Sequence, residues 1–148
     1  MDVPGNAADL AMTFEGFYAK AYRCPAGIPT IGFGAIRYMG GKRVSLSDPP
    51  ITMEQAEEML AFDLRDALQD TIRVCPILAT VPSTWLGAIV DFVFNFGSGR
   101  LQTSTLRRKI NAELWDDVPV ELNRWVYGGG RKLKGLVLRR EAEGAFYG

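Results

Sequence analysis

Apolar residues recur at helical spacing along most of the chain, with one interruption. Ala7, Leu10, Ala11, Phe14, Phe17, Tyr18, Ala21 and Tyr22 form a first stripe. Asn6, following Pro4-Gly5, suits an N-cap, and Pro25 disfavours helix at Cys24. The pattern therefore predicts one helix from about Asn6 to just before Cys24. Glu15 falls about 20° beyond one edge of its stripe, at the roughly 100° per residue of an α-helix.

The interruption is IPTIGFGAIRYMGGKRVSL, residues 28–46. It is rich in β-branched and aromatic residues and broken by Gly32, Gly34 and Gly40-Gly41, as expected of short antiparallel strands with tight turns. Helical spacing then resumes. Thr52-Met53-Glu54-Gln55 fits a capping box, followed by Ala56, Met59, Leu60, Leu64, Ala67, Leu68 and Ile72 on one face, with Pro76 as the bound. Ser83 is placed to cap a helix through Phe96 that has little polar face and should be buried, with Gly97-Ser98-Gly99 as its stop. Shorter helices are predicted near Ser104–Asn111, Val118–Val126 and Gly135–Phe146, the last two separated by Gly128-Gly129-Gly130.

One helix, a small sheet, then helices only is an α+β order with a helical majority. The chain is expected to form a single domain over residues 1–148. A small β-containing lobe is expected at about 24–50, and a helical lobe at about 51–148 that also takes in the N-terminal helix.

Composition narrows the chemistry. The 148 residues are 47% hydrophobic and 23% charged, a globular balance. Seventeen basic residues offset seventeen acidic ones, so net charge gives no reason to expect nucleic acid as a partner. There is no histidine. That removes Ser-His-Asp and Cys-His hydrolytic sites and the ligands catalytic zinc usually needs; neither metal nor cofactor is expected. The two cysteines, Cys24 and Cys75, are far apart and form no disulfide framework, although a pairing that silences the site is conceivable in an oxidising compartment. No run is long enough to span a membrane, and MDVPGNAADL lacks a basic-then-apolar secretion signal.

Read from periodicity alone, Glu15 is either a solvated helix-face glutamate or a half-buried carboxyl suited to general-acid work. Its surroundings read EGFYAKAYRCPAGIPTIGFG. Eight residues separate Glu15 from Cys24, and five separate Cys24 from Thr30. This closely resembles the signature of phage-type lysozymes: Glu, eight residues, Asp or Cys, five residues, Thr, then a Thr-Ile-Gly-[Tyr/Phe]-Gly strand. DFVFNFGSGRLQTSTLRRKI resembles the family's central helix and turn, and NRWVYGGGRKLKGLVLRREAE its closing segment. The similar blocks run in order from about Phe14 to Glu143.

The resemblance implies a lysozyme-like fold and a muramidase that cuts the β-1,4 bond between N-acetylmuramic acid and N-acetylglucosamine. Glu15 would protonate the leaving oxygen, while Cys24 and Thr30 would handle the attacking water from the other side of the sugar. Cys24 stands where many relatives have Asp, and a thiol ordinarily titrates near 8.5, so it could act as base, nucleophile or water-positioner. Gly32, Phe94, Asn95 and Ser104 match substrate-side positions. Asn95 could equally be a structural amide and Ser104 a helix cap. Arg139 or Arg140 would pair with Glu15 or another acid and support the site; a solvated basic patch is the plainer reading.

Trp125 is expected in the core. Lys42-Arg43, Arg107-Arg108-Lys109 and Arg131-Lys132 could attract anionic wall polymers or be solvated faces. The implied partner is the peptidoglycan glycan strand. The implied life history is accumulation as a monomer in the host cytoplasm, passage through a holin pore, and action at the wall in the periplasm. A lytic transglycosylase and a non-enzymatic wall-binding relative remain the competing readings.

Overall fold

The computed structural model describes residues 1–148. The elements run α1 (Gly5–Glu15), β1 (Tyr18–Arg23), β2 (Pro29–Gly32), α2 (Met53–Val74), α3 (Ser83–Phe96), α4 (Ser98–Gln102), α5 (Thr105–Asn111), α6 (Val118–Leu122), β3 (Tyr127–Gly128), β4 (Arg131–Lys132) and α7 (Lys134–Gly144). Short 3₁₀ turns lie at Pro76–Ala79, Trp115–Asp117 and Ala145–Tyr147. The architecture is α+β and mostly helical, as expected. No helix is long and apolar enough to cross a membrane. The residues group into two compact units. One comprises Met1–Leu10 with Leu64–Gly148, the other Ala11–Asp63.

In the smaller unit the first helix ends much earlier than its stripe predicts. It stops at Glu15, and Tyr18–Arg23 is a strand rather than two more helical turns. Gly16 takes a left-handed φ of 74°, a conformation that ends a helix at little cost only in glycine, while its N–H closes the last turn on the Met12 carbonyl at 3.1 Å. β1 then pairs antiparallel with β2, Tyr22 opposite Thr30 and Tyr18 opposite Gly32, with an irregularity between the two tyrosines. Their rings lie 4.2 Å apart.

Two turns in this unit share one hydrogen-bond pattern. Cys24 N–H bonds the Ile28 carbonyl and Gly27 N–H the Cys24 carbonyl; Tyr38 N–H bonds the Lys42 carbonyl and Gly41 N–H the Tyr38 carbonyl. This is a type I turn followed by a left-handed residue, the commonest way to close a hairpin with one residue more than the tightest loop. Ile31, Ala35, Val44 and Met59 form the unit's buried apolar cluster, with Ala21, Tyr38 and Ile51 against it. The capping box at the start of α2 forms as predicted. Thr52 N–H donates to Gln55 Oε1 at 2.9 Å, and Gln55 N–H donates to Thr52 Oγ1 at 3.1 Å.

In the larger unit α3 is the buried centre, with every residue from Leu86 to Val93 inaccessible. Each large apolar side chain so buried contributes about 1.5–3 kcal/mol. Its limits match the prediction, but Ser83 is the first helical residue and makes no cap. Asn6 is likewise inside α1, and its side-chain amide donates to the Thr84 carbonyl at 2.8 Å. The close approach needs Gly87, because any Cβ there would overlap the Asn6 amide. The open carbonyl of Val74 at the end of α2 accepts from Arg107 Nε and Asn111 Nδ2, both at 3.3 Å. Ser104 caps α5, one of the two readings its position left open. The predicted 118–126 helix is shorter than its pattern, ending at Leu122. The glycines after it build a small hairpin, Tyr127 opposite Lys132 and Gly128 opposite Arg131, rather than a plain break.

Candidate active site

In the smaller unit Glu15 is the last residue of α1, half-buried, and the chain turns away immediately behind it. The segment after β2 comes back onto it. A Cβ on Gly34 would lie 2.6 Å from Glu15 Oε1 and 3.1 Å from its Cδ, closer than a side chain can stand. Gly34 also has φ +79°, so both space and backbone reserve this position for glycine. Sequence reasoning singled out Gly32 and missed Gly34. Gly32 is buried with a φ of +66°, and a Cβ there would press on Ala56 and Ile51 at 3.2 and 3.3 Å, so backbone and packing together account for that glycine.

Cys24 closes the hairpin between β1 and β2 and is partly exposed. Hydrogen bonding from the Ile28 backbone, then from Ala26, the Thr30 side chain and Gly27, holds its thiol below the ordinary value, against a smaller opposing effect of desolvation. Hydrogen-bond donors near a thiol favour its thiolate. Thr30 is buried on β2, and its hydroxyl donates to the Ile28 carbonyl at 2.8 Å.

Tyr22, read from sequence as part of a helical stripe, is the residue that senses both chemical groups. Burial pushes its phenol up first, and the charges of Tyr18, Glu15 and Cys24 push it further. A strand places it there, opposite Thr30. The apolar pattern of the local sequence did not distinguish this arrangement from a helix. Cys75 is buried, and both cysteines are free.

In the larger unit a cluster of charges lies inside the protein. Asp91 of α3 takes both Nε and Nη2 of Arg139 at 2.9 and 2.7 Å. Arg140 meets Glu143 at 2.7 and 2.8 Å, both fully buried, and its Nη2 also donates to Asn95 Oδ1 at 2.9 Å. Its guanidinium lies over Phe92 and Phe96, 5.2 and 4.8 Å from the ring centres. Burial, with Asp91 nearby, pushes the Glu143 carboxyl up against the opposing pull of Arg140, and burial pushes Arg140 down. Two arginines that sequence could read as a solvated patch thus fasten α7 to α3.

The same contact uses the carbonyl end of Asn95 and leaves its two N–H donors for another acceptor. Phe94 beside it is half-buried. Ser104 is committed to structure: its hydroxyl donates to the Leu101 carbonyl at 2.6 Å and accepts from Arg107 N–H at 3.0 Å. Trp125 is half-buried against Phe92 and Phe96, 5.4 and 5.5 Å between ring centres.

The sequence pattern of the phage lysozyme family matches residues 12–143, from the last turn of α1 to the end of the charged cluster on α7. The chain belongs to the phage lysozyme family. Among its relatives, the SAR-endolysin of Bacteriophage PS119 is 35% identical over 130 residues, covering 87% of this chain and 73% of that protein. The endolysin of Acyrthosiphon pisum secondary endosymbiont phage 1 is 34% identical and covers 99% of this chain and 98% of its own length. Among solved structures, the endolysin of Escherichia coli O157:H7 phage FAHEc1 superposes with a TM-score of 0.86 at 31% identity, covering 99% of this chain and 93% of that one. The α+β architecture of this phage lysozyme is thus the one its endolysin relatives adopt.

Proposed function

We propose that this phage lysozyme is an endolysin that hydrolyses the β-1,4 bond between N-acetylmuramic acid and N-acetylglucosamine in bacterial peptidoglycan and so brings about host cell lysis. The observation that carries the reading is Glu15: a carboxyl at a helix end, backed by a glycine that leaves room for nothing else, at the start of a family match covering nearly the whole chain. Glu15 protonates the departing glycosidic oxygen. Cys24, its thiolate favoured by backbone N–H groups, takes a proton from water that attacks the opposite face of the sugar, and Thr30 helps place that water. Such a geometry inverts the anomeric carbon.

Gly32, Phe94 and Asn95 serve the glycan, Asn95 through its N–H donors. Ser104 serves it through the start of α5, and Arg139 and Arg140 position α3 and α7. The enzyme acts as a monomer on wall in the periplasm, reaching it from the host cytoplasm through a holin.

Purified peptidoglycan digested by wild type and Glu15→Gln tests this. Wild type should release fragments with reducing muramic ends, and Glu15→Gln should be slower by about a hundredfold or more with an unchanged unfolding temperature. Anhydromuramic ends would show a transglycosylase instead. Equal failure of both proteins would show a wall-binding relative without activity.

A further inference from the structure

Two tyrosines stand together beside Glu15. The rings of Tyr18 and Tyr22 lie 4.2 Å apart between centres and are inclined by 32°, a tilted stack. At one end, a Cβ on Gly16, the residue after the acid, would lie 3.7 Å from Tyr18 Cε2, so this ring reaches back to the turn that ends α1. At the other end Tyr22 is the cross-strand partner of Thr30, which puts their side chains on one side of the sheet. The Thr30 side chain in turn hydrogen-bonds the Cys24 thiol. The stack therefore runs from the helix end that carries the acid to the hairpin that carries the thiol.

It is covered on one side and open on the other. Tyr22 is half-buried, whereas Tyr18 is 46% exposed. A ring held by a stacked neighbour offers a broad contact area that needs little further ordering when something binds. The chemistry of the surface selects the occupant. A pyranose presents a flat face of C–H groups and a rim of hydroxyls. The face suits an aromatic ring, and the rim suits phenolic oxygens. Burial, and then the charges of Tyr18, Glu15 and Cys24, push the Tyr22 phenol up, so it stays a neutral O–H donor near neutral pH. Recognition here is by shape and C–H contact rather than by charge.

We infer that Tyr18, backed by Tyr22, is a platform for one sugar ring of the wall glycan strand, beside the bond that Glu15 protonates. This rests on the muramidase reading above. Tyr18 takes the C–H face of the sugar, and Tyr22 fixes the ring of Tyr18 and offers its hydroxyl to the sugar's rim.

Calorimetric titration of Glu15→Gln, which binds without cutting, with soluble uncrosslinked glycan fragments tests the inference. Adding Tyr18→Ala should weaken binding about tenfold, the effect of losing one apolar contact of this size. Adding Tyr18→Phe, which keeps the ring, should leave affinity within about twofold. In the enzyme with Glu15 intact, Tyr18→Ala should raise KM by a similar factor with kcat little changed, the mark of a contact made equally before and during reaction. Unchanged unfolding temperatures would show the variants intact. No binding by Glu15→Gln, equal affinity with and without the ring, or a loss as large in Tyr18→Phe as in Tyr18→Ala would overturn the inference. Wild type that cuts wall while the Tyr18 variants bind undiminished would sink the platform alone. Ring-dependent binding by a wild type that cuts nothing would uphold the platform and sink the activity.

Discussion

The carboxyl of Glu15 rests against the bare α-carbon of Gly34. A single methyl group at Gly34 would sit 2.6 Å from Glu15 Oε1, and the left-handed backbone there disfavours any side chain in the first place. The acid and the glycine are nineteen positions apart in sequence, and the return of the chain after β2 is what brings them together.

Gly34→Ala should therefore injure activity more than stability. The backbone strain costs about 1 kcal/mol, read as a lower unfolding temperature. The displaced carboxyl should cost about tenfold to a hundredfold in wall digestion, since misplacement of a reacting group by about 1 Å has effects of that order. Gly40→Ala, at a turn with open space around it and no left-handed φ, should change neither quantity. Equal activity of both variants would remove Gly34 from the account.

The Cys24 series separates the roles open to the thiol. Cys24→Asp should keep activity, and Cys24→Ser should lose most of it, because a hydroxyl is not a base near neutral pH. The thiol's value is lowered by its backbone donors, so activity should rise with pH as the thiolate forms. In Cys24→Asp that rise should move to lower pH, measured as kcat/KM on soluble wall fragments. A Cys24→Ser enzyme of full activity would show that the thiol handles no proton.

Arg140 and Glu143 give a stability prediction. Both are fully buried and in contact at 2.7 Å. Glu143→Gln leaves a cation inside the protein and should destabilise by about 3–5 kcal/mol, measured by denaturant unfolding. Arg140→Met with Glu143→Leu should recover much of that loss, because no charge is then left without its partner. A double variant no better than the single one would mean that Asn95 and the rings of Phe92 and Phe96 depend on the guanidinium itself.

Burial pushes the Cys75 thiol up to about 11 from an ordinary value near 9. Above pH 9 the unfolded chain sheds this proton and the folded one keeps it, so stability falls as pH rises from about 9 to about 11. The fall due to Cys75 should be about 1–2 kcal/mol. Cys75→Ala should flatten the stability profile across that window and leave it unchanged below pH 8.

Where side chains act on neighbours in sequence, the pattern of residues was enough. Thr52 and Gln55 close their box within one turn, Ser104 caps α5 from the adjacent position, and Gly97 ends α3, so the starts of α2 and α5 and both limits of α3 could be read directly. The stretch after Glu15 could not. Residues four apart, such as Tyr18 and Tyr22, share a face in a helix and in a strand alike, so the apolar pattern fits both. The choice fell to Gly16 and to the pairing of Tyr18–Arg23 with Pro29–Gly32, a contact formed by distant residues. The order of Glu15, Cys24 and Thr30 and the family resemblance were thus written in the sequence. The backing of Glu15 by Gly34, the strand that carries Tyr22, and the union of Arg139 with Asp91 were decided only in three dimensions. Each depends on which distant backbone approaches, and local propensity carries no term for that.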